Sequence, residues 1–113
     1  MGCTSGCVSG PGGKLLHFHG WNDQAIPPRD SIAFHDAVRA RMGDPSSFYR
    51  LFLVPGMLHC DGGRGPRELP TEAAIEAWVE HGRAPDVLVA PPAVGTRAWT
   101  LCPYPQRGGH DGC

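Results

Sequence analysis

"KLLHFHGWND", Lys14 to Asp23, is a short, mostly apolar run that stops at a glycine and passes at once into a tryptophan and two small polar residues. Gly12, Gly13 and Gly20 bracket its first seven residues, a length that suits a buried strand better than a helix. A second run, "FYRLFLVPG" from Phe48 to Gly56, repeats the pattern with aromatic and branched side chains and a Pro-Gly stop. Between them, "DSIAFHDAVRARMG" places Ile32, Ala33, Ala37, Val38 and Met42 near one side of a helix, with Asp30 or Ser31 as cap and Gly43 as stop. After the second run, "PTEAAIEAWVEHG" uses the same grammar: Thr71 as cap, Ala74, Ile75, Trp78 and Val79 on one face, Gly82 as stop. Strand, helix, strand, helix predicts parallel strands with crossover helices, and hence an α/β architecture.

Two strands alone make no stable sheet. The N-terminal segment and the stretches "APDVLVAPP" and "TRAWTLC" are candidates for further strands, and another copy of the chain is the other source. At 113 residues the chain has the length of one small domain. It divides into a flexible Gly-, Cys- and Ser-rich N-terminus (1–12), a core (13–83) and a Pro- and Gly-rich irregular wrap (84–113).

Eleven acidic residues nearly cancel ten basic ones, and the basic ones are scattered, which argues against a nucleic-acid partner. No apolar run approaches the roughly 20 residues that span a bilayer, so no membrane is expected. "MGCTSGCVSGPGG" reads as neither a signal peptide nor a myristoylation site. Of the five cysteines, Cys3, Cys7, Cys60, Cys102 and Cys113, at least one stays free or pairs between chains. One C-x3-C and no C-x2-C spacing speaks against a structural zinc site.

In a parallel α/β sheet, functional groups gather at the carboxyl ends of the strands. Asp23 follows the first strand and His59, in "LVPGMLHCDGG", follows the second. Asp23 can accept the Nδ1 proton of His59 and hold its ring as a general base. The plain alternative is a turn aspartate and a solvated loop histidine. His35 and His81 read as solvated helix residues, Met57 and Leu58 as packing for the turn, and Trp21 as either a pocket wall or core.

Four stretches, "GGKLLHFHGWNDQAIPPRDSIAFHDAV", "FYRLFLVPGMLHCDGGRGP", "AAIEAWVEHGRAPDVLVA" and "LCPYPQ", resemble in order and spacing the C-terminal part of the tannase and feruloyl esterase family of α/β-hydrolases, from about Gly12 to Gln106. The resemblance implies a truncated α/β-hydrolase-like fold with few parallel strands, crossover helices and an irregular C-terminal segment. It maps Asp23 and His59 onto two members of a Ser-Asp-His triad, and Cys60 onto a cysteine that in the family is bridged to the one beside the nucleophilic serine. Cys3 is the candidate partner, and the family pairing of the LCPYP cysteine implies Cys102 with Cys113.

The family nucleophile lies in a G-C-S-x-G-G turn far upstream, beyond a lid domain with a calcium site; that calcium is not expected here, and no cofactor is. "MGCTSG" resembles a distorted version of that turn, with Ser5 as first candidate nucleophile and Thr4 and Ser9 behind it; a merely glycine-rich terminus is the alternative. No G-x-S-x-G elbow is present, and the oxyanion donors stay unassigned.

The implied activity is hydrolysis of a small-molecule carboxylic ester or lactone, in a secreted or periplasmic setting. A rival route uses metal: His17 and His19 lie on one face of a strand, and His59, His35, His110 and Asp23 could complete a site. The run resembles the H-x-H-x-D-H of metallo-β-lactamase-type lactonases, though Asp23 stands four residues past His19 where that run needs two. A further rival is an inactive fragment acting only in self-association. In a truncated hydrolase, uncovered sheet edges and helix faces predict a homo-oligomer, in which Cys3 or Cys7 could meet Cys60 across the interface.

Overall fold

The computed structural model describes residues 12–113 in full and residues 3–7 through their backbone. Strand β1 (Cys3–Cys7) pairs antiparallel with β2 (Lys14–Gly20), and β2 pairs parallel with β3 (Tyr49–Val54), in the order β1-β2-β3. Helix α1 (Pro28–Met42) is the crossover between the parallel strands. Helix α2 (Thr71–His81) leads instead into β4 (Leu88–Ala90), which pairs antiparallel with β5 (Trp99–Leu101) in a ladder of its own. The N-terminal segment thus supplies a strand to the main sheet, whereas the two C-terminal candidates pair with each other. They meet the sheet through a bridge of Pro103 to Phe52 and the Tyr104 N–H donating to the Leu51 carbonyl at 2.7 Å.

The alternation of β2 and β3 gives the sheet two unlike faces. Leu16 and Phe18, with Phe52 and Val54, face α2 and join Met57, Leu88, Leu101, Ala74 and Ile75 in the apolar core. His17 and His19, with Tyr49 and Leu51, face α1, and all four are buried. The expected apolar stripe of α1 is therefore corrected. Ala33, Ala37 and Met42 are exposed, and the residues α1 buries are Ser31 and His35, one turn apart. Polar groups on β2 select polar partners on the helix, because a buried imidazole without one costs about 1–3 kcal/mol.

The caps differ too. Pro27 and Pro70 occupy the N-cap positions in place of Asp30 or Ser31 and of Thr71, with Pro28 at the first helical position of α1. Gly43 and Gly82 end the helices as expected, Gly82 in the left-handed region at φ 67°. Cys102 and Cys113 form a disulfide, Cα to Cα 5.8 Å. No helix among the described residues is long and apolar enough to cross a membrane.

Candidate active site

The turns that leave β2 and β3 at their carboxyl ends lie backbone against backbone. Trp21 N–H donates to the Val54 carbonyl at 2.9 Å and Asn22 N–H to the Met57 carbonyl at 3.0 Å. Gly20 makes this possible, since a Cβ there would overlap the Met57 and Leu58 carbonyl oxygens. A tight turn at Pro55-Gly56, with φ 70° at Gly56, then sends the chain through Met57 to His59. Gly62 and Gly63, both at positive φ, fold it back: the Leu58 N–H reaches the Gly62 carbonyl at 3.2 Å and Met57 bridges to Gly63.

Asp23 and His59 meet across the junction, with Asp23 Oδ2 2.8 Å from His59 Nδ1. The two carboxylate oxygens divide their partners. Oδ1 accepts the Ala25 and Ile26 N–H groups at 2.7 and 2.8 Å, which fixes the carboxylate plane on its own turn. Oδ2 is left to the histidines, His59 and, at 3.1 Å, His19 Nε2. Gln24 anchors the other side, its Oε1 accepting the His59 N–H at 3.1 Å.

The Asp23 side chain is 2% exposed and that of His59 39%. Burial pushes the Asp23 carboxyl upward, but the Ile26 N–H, the His59 ring and the Ala25 N–H outweigh it and hold the group well below the usual carboxylate range. A fixed, ionised carboxylate behind a half-exposed imidazole orients the ring, selects the Nδ1–H tautomer and leaves Nε2 to exchange protons. Cys60, next in sequence, is disulfide-bonded and holds a left-handed φ of 64°, rare for a residue with a Cβ.

Trp21, 40% exposed, lines a cleft of about 490 Å³ with Ile32, Leu53, Pro55 and Tyr104, which makes it a pocket wall rather than core. A second cleft, about 380 Å³, runs beside Cys60 along Phe18, Arg67 and Leu69. Trp21 of the first cleft and Cys60 of the second are close sequence neighbours of Asp23 and His59.

Ser5 lies within β1, its backbone opposite Leu16, and so not at a strand-to-helix turn; the side chains of Thr4, Ser5 and Cys3 lie outside the described residues, as does Ser9 altogether. The buried histidines proposed for a metal are engaged by other groups. His17 Nδ1 pairs with the Tyr49 hydroxyl at 2.7 Å and Nε2 with Ser31 Oγ at 3.2 Å, while His19 Nδ1 meets Ser31 Oγ at 2.6 Å and Nε2 the Ile26 carbonyl at 2.8 Å. All four ring nitrogens therefore have partners. His110 tilts over Trp99, with ring centroids 4.1 Å apart, and no group of three or more His, Cys, Asp or Glu able to hold a metal forms among the described residues.

His35 is 4% exposed, which corrects its reading as a solvated residue; it packs between the rings of Tyr49 and Tyr104, each 5.1 Å away. His81 is exposed as expected. The buried set of His17, His19, Ser31 and Tyr49 was not foreseen as a unit. The one sequence signal was the pair of histidines two apart in a strand, with a serine at the head of the following helix.

The family "Tannase and feruloyl esterase" matches residues 7–113. The mono(2-hydroxyethyl) terephthalate hydrolase of Piscinibacter sakaiensis is 41% identical over 107 residues, covering 89% of this chain and 18% of that protein. The tannase of Aspergillus oryzae is 36% identical over 112 residues, covering 85% and 19%. Among solved structures, feruloyl esterase B from Aspergillus oryzae superposes with a TM-score of 0.78 at 31% identity, over 85% of this chain and 24% of that one. Tannin acyl hydrolase from Aspergillus niger gives 0.77 at 34%, over 85% and 20%. The chain spans about a fifth of the length of the curated relatives it matches. With a match over nearly all its residues, the chain belongs to the tannase and feruloyl esterase family.

Proposed function

We propose that the chain is a carboxylic ester hydrolase of α/β-hydrolase type, acting by acyl transfer on a small-molecule ester or lactone. The observation that carries this is the 2.8 Å pair of a buried Asp23 and a half-exposed His59 at the carboxyl ends of two parallel strands. His59 Nε2 takes the proton of a hydroxyl nucleophile as its oxygen bonds to the ester carbonyl carbon, and the carbonyl electron pair moves onto oxygen. When that pair returns, the bond to the leaving oxygen breaks and His59 delivers the proton to it. Water then repeats the two steps on the acyl-enzyme. Asp23 keeps its charge and stabilises the imidazolium.

Ser5 is the nucleophile we assign first within the chain, with Thr4 and Ser9 next. The disulfide of Cys102 with Cys113 and the bonded state of Cys60 support a secreted or periplasmic setting, since such bonds persist in oxidising compartments. The test is hydrolysis of a chromogenic short-chain ester by the purified chain, alongside His59→Ala and a fluorophosphonate label mapped by mass spectrometry. His59→Ala should lose about a hundredfold or more in rate with its circular dichroism unchanged. A wild-type rate in that variant rejects the reading, and the labelled residue identifies the nucleophile.

One observation favours a second reading, in which the chain works only by self-association. The register sets Ser5 opposite Leu16, four residues or about 13 Å back along β2 from Gly20, while Met42, Val89 and Val94 are more than half exposed. A homo-oligomer follows from either reading. Light scattering at micromolar concentration tests it, and a monodisperse 12.1 kDa particle is the result that rejects it.

A further inference from the structure

The buried polar set on the α1 face has a direction, and each proton in it can be assigned from the one before. The Ile26 carbonyl and the Asp23 carboxylate only accept, and both lie within 3.1 Å of His19 Nε2, so that nitrogen carries a proton. In a neutral ring Nδ1 is then bare, and its 2.6 Å contact with Ser31 Oγ uses the serine proton. A hydroxyl has one proton to give. The 3.2 Å contact between Ser31 Oγ and His17 Nε2 is therefore made with the proton of His17. His17 Nδ1 is left bare and accepts the Tyr49 O–H at 2.7 Å. The chain of donors runs from Tyr49 through His17 and Ser31 to His19, whose Nε2–H donates to the Ile26 carbonyl at 2.8 Å and lies 3.1 Å from Asp23 Oδ2, the same oxygen that receives His59 Nδ1–H.

We propose that His19 is a positioning residue of the active site: its neutral ring, held in the Nε2–H tautomer by Ser31, His17 and Tyr49, pins Asp23 Oδ2 where His59 Nδ1 meets it. The bearing on rate rests on the hydrolase reading; the proton order does not.

Why neutrality matters follows from the alternative. A cationic His19 would reverse the three links behind it, donating from Nδ1 to Ser31, from Ser31 to His17 and from His17 to the Tyr49 oxygen. It would also place a full positive charge 3.1 Å from the carboxylate that has to stabilise the His59 imidazolium. A neutral N–H fixes the oxygen without cancelling its charge. The surroundings suit the neutral order: His17, His19, Ser31 and Tyr49 are each 1% exposed or less, and His35 packs on Tyr49 as a further titratable group. Burial, the largest cause, pushes His17 down to about 4, and burial raises the Tyr49 hydroxyl, so both stay uncharged at neutral pH.

The test is long-range ¹H–¹⁵N correlation on the histidine-labelled chain at about pH 7.5, where the two tautomers and the cation give distinct patterns. His17 and His19 should both appear as neutral Nε2–H rings and His59 should carry its proton on Nδ1. A cationic His19, or one protonated only at Nδ1, overturns the proposal without any variant being made. His19→Gln keeps a donor near the Nε2 position, and His19→Leu removes it. The His59 Nδ1–H resonance should persist in the first and exchange away in the second. In the ester assay, kcat should fall about tenfold or more in His19→Leu with KM unchanged, and recover in His19→Gln. An unchanged His59 resonance in a folded His19→Leu overturns the proposal too. A chain that hydrolyses nothing yet shows this tautomer order keeps the relay and loses the hydrolase reading, whereas a hydrolysing chain with cationic His19 does the reverse.

Discussion

Gly20 rests against the Met57 carbonyl with no room for a side chain, and this contact brings Asp23 of one turn to His59 of the other. Gly20→Ala puts a Cβ into rigid backbone that cannot yield as a flexible side chain would. We expect a loss of about 1–3 kcal/mol in stability and, in whatever folds, a separated Asp23–His59 pair with a slower ester turnover. Chemical denaturation checks the first part, and an unchanged midpoint would show that the turns can part without cost.

Asp23→Asn separates charge from shape. The Asn Oδ1 still accepts the Ala25 and Ile26 N–H groups, so the turn survives. Its amide NH2 then confronts two N–H donors, those of His59 and His19, and His59 escapes by moving its proton to Nε2, which spoils it as a base. Turnover should fall by about 10³–10⁴-fold with the native circular dichroism kept. Retained activity would remove Asp23 from the mechanism; collapse of the fold would make it a structural residue.

Acid should weaken the fold in a window set by His17. Its pKa is about 4 in the folded chain against 6.5 when unfolded, so between those values the unfolded chain binds the extra proton and stability falls as pH falls. The contribution is whole above about pH 6.5 and gone below about pH 4. The Asp23 carboxyl, also depressed, adds a loss of the same sign at still lower pH. Denaturant midpoints measured from about pH 7.5 to 4 give the slope, and His17→Gln should flatten it. A flat wild-type profile contradicts the buried neutral ring.

The Cys102–Cys113 bridge closes a short loop that otherwise holds through paired Thr100 and Gly109 backbone groups and an exposed Arg97–Asp111 contact. Cys113→Ser should cost about 2–3 kcal/mol, the entropy of a loop this size. An unchanged unfolding midpoint would mean that the tail already has that order in the unfolded chain.

Much of this was legible from local pattern. The glycine-bracketed runs gave β2 and β3, the glycine stops ended both helices, and the positions of Asp23 and His59 just beyond strand ends foretold that they meet. The burying face of α1 was not legible, because a periodicity reading counts Ser31 and His35 as polar and turns them outward. What buries them is a match with His17, His19 and Tyr49, a set whose ends, His17 and Tyr49, stand 32 residues apart, wider than a window of sequence reads. The stretches around β4 and β5 were legible as strand candidates, but their pairing with each other rather than with the main sheet was not, because strands of three residues carry no signal for which partner they take. Ser5 was assigned by likeness to a turn, and the backbone there is a strand.

The unlike faces of the sheet also decide what can be transplanted. Helix α2 meets its face through Ala74, Ile75 and Trp78, so any helix of similar volume and apolar pattern is an adequate substitute. Helix α1 is not exchangeable in that way. A Leu at position 31 would fill space and still leave His17 Nε2 and His19 Nδ1 buried without the hydroxyl that joins them. Anyone grafting the Asp23–His59 turns onto a new scaffold must carry β2 and α1 along as a single part, and is free to design the other side from nothing.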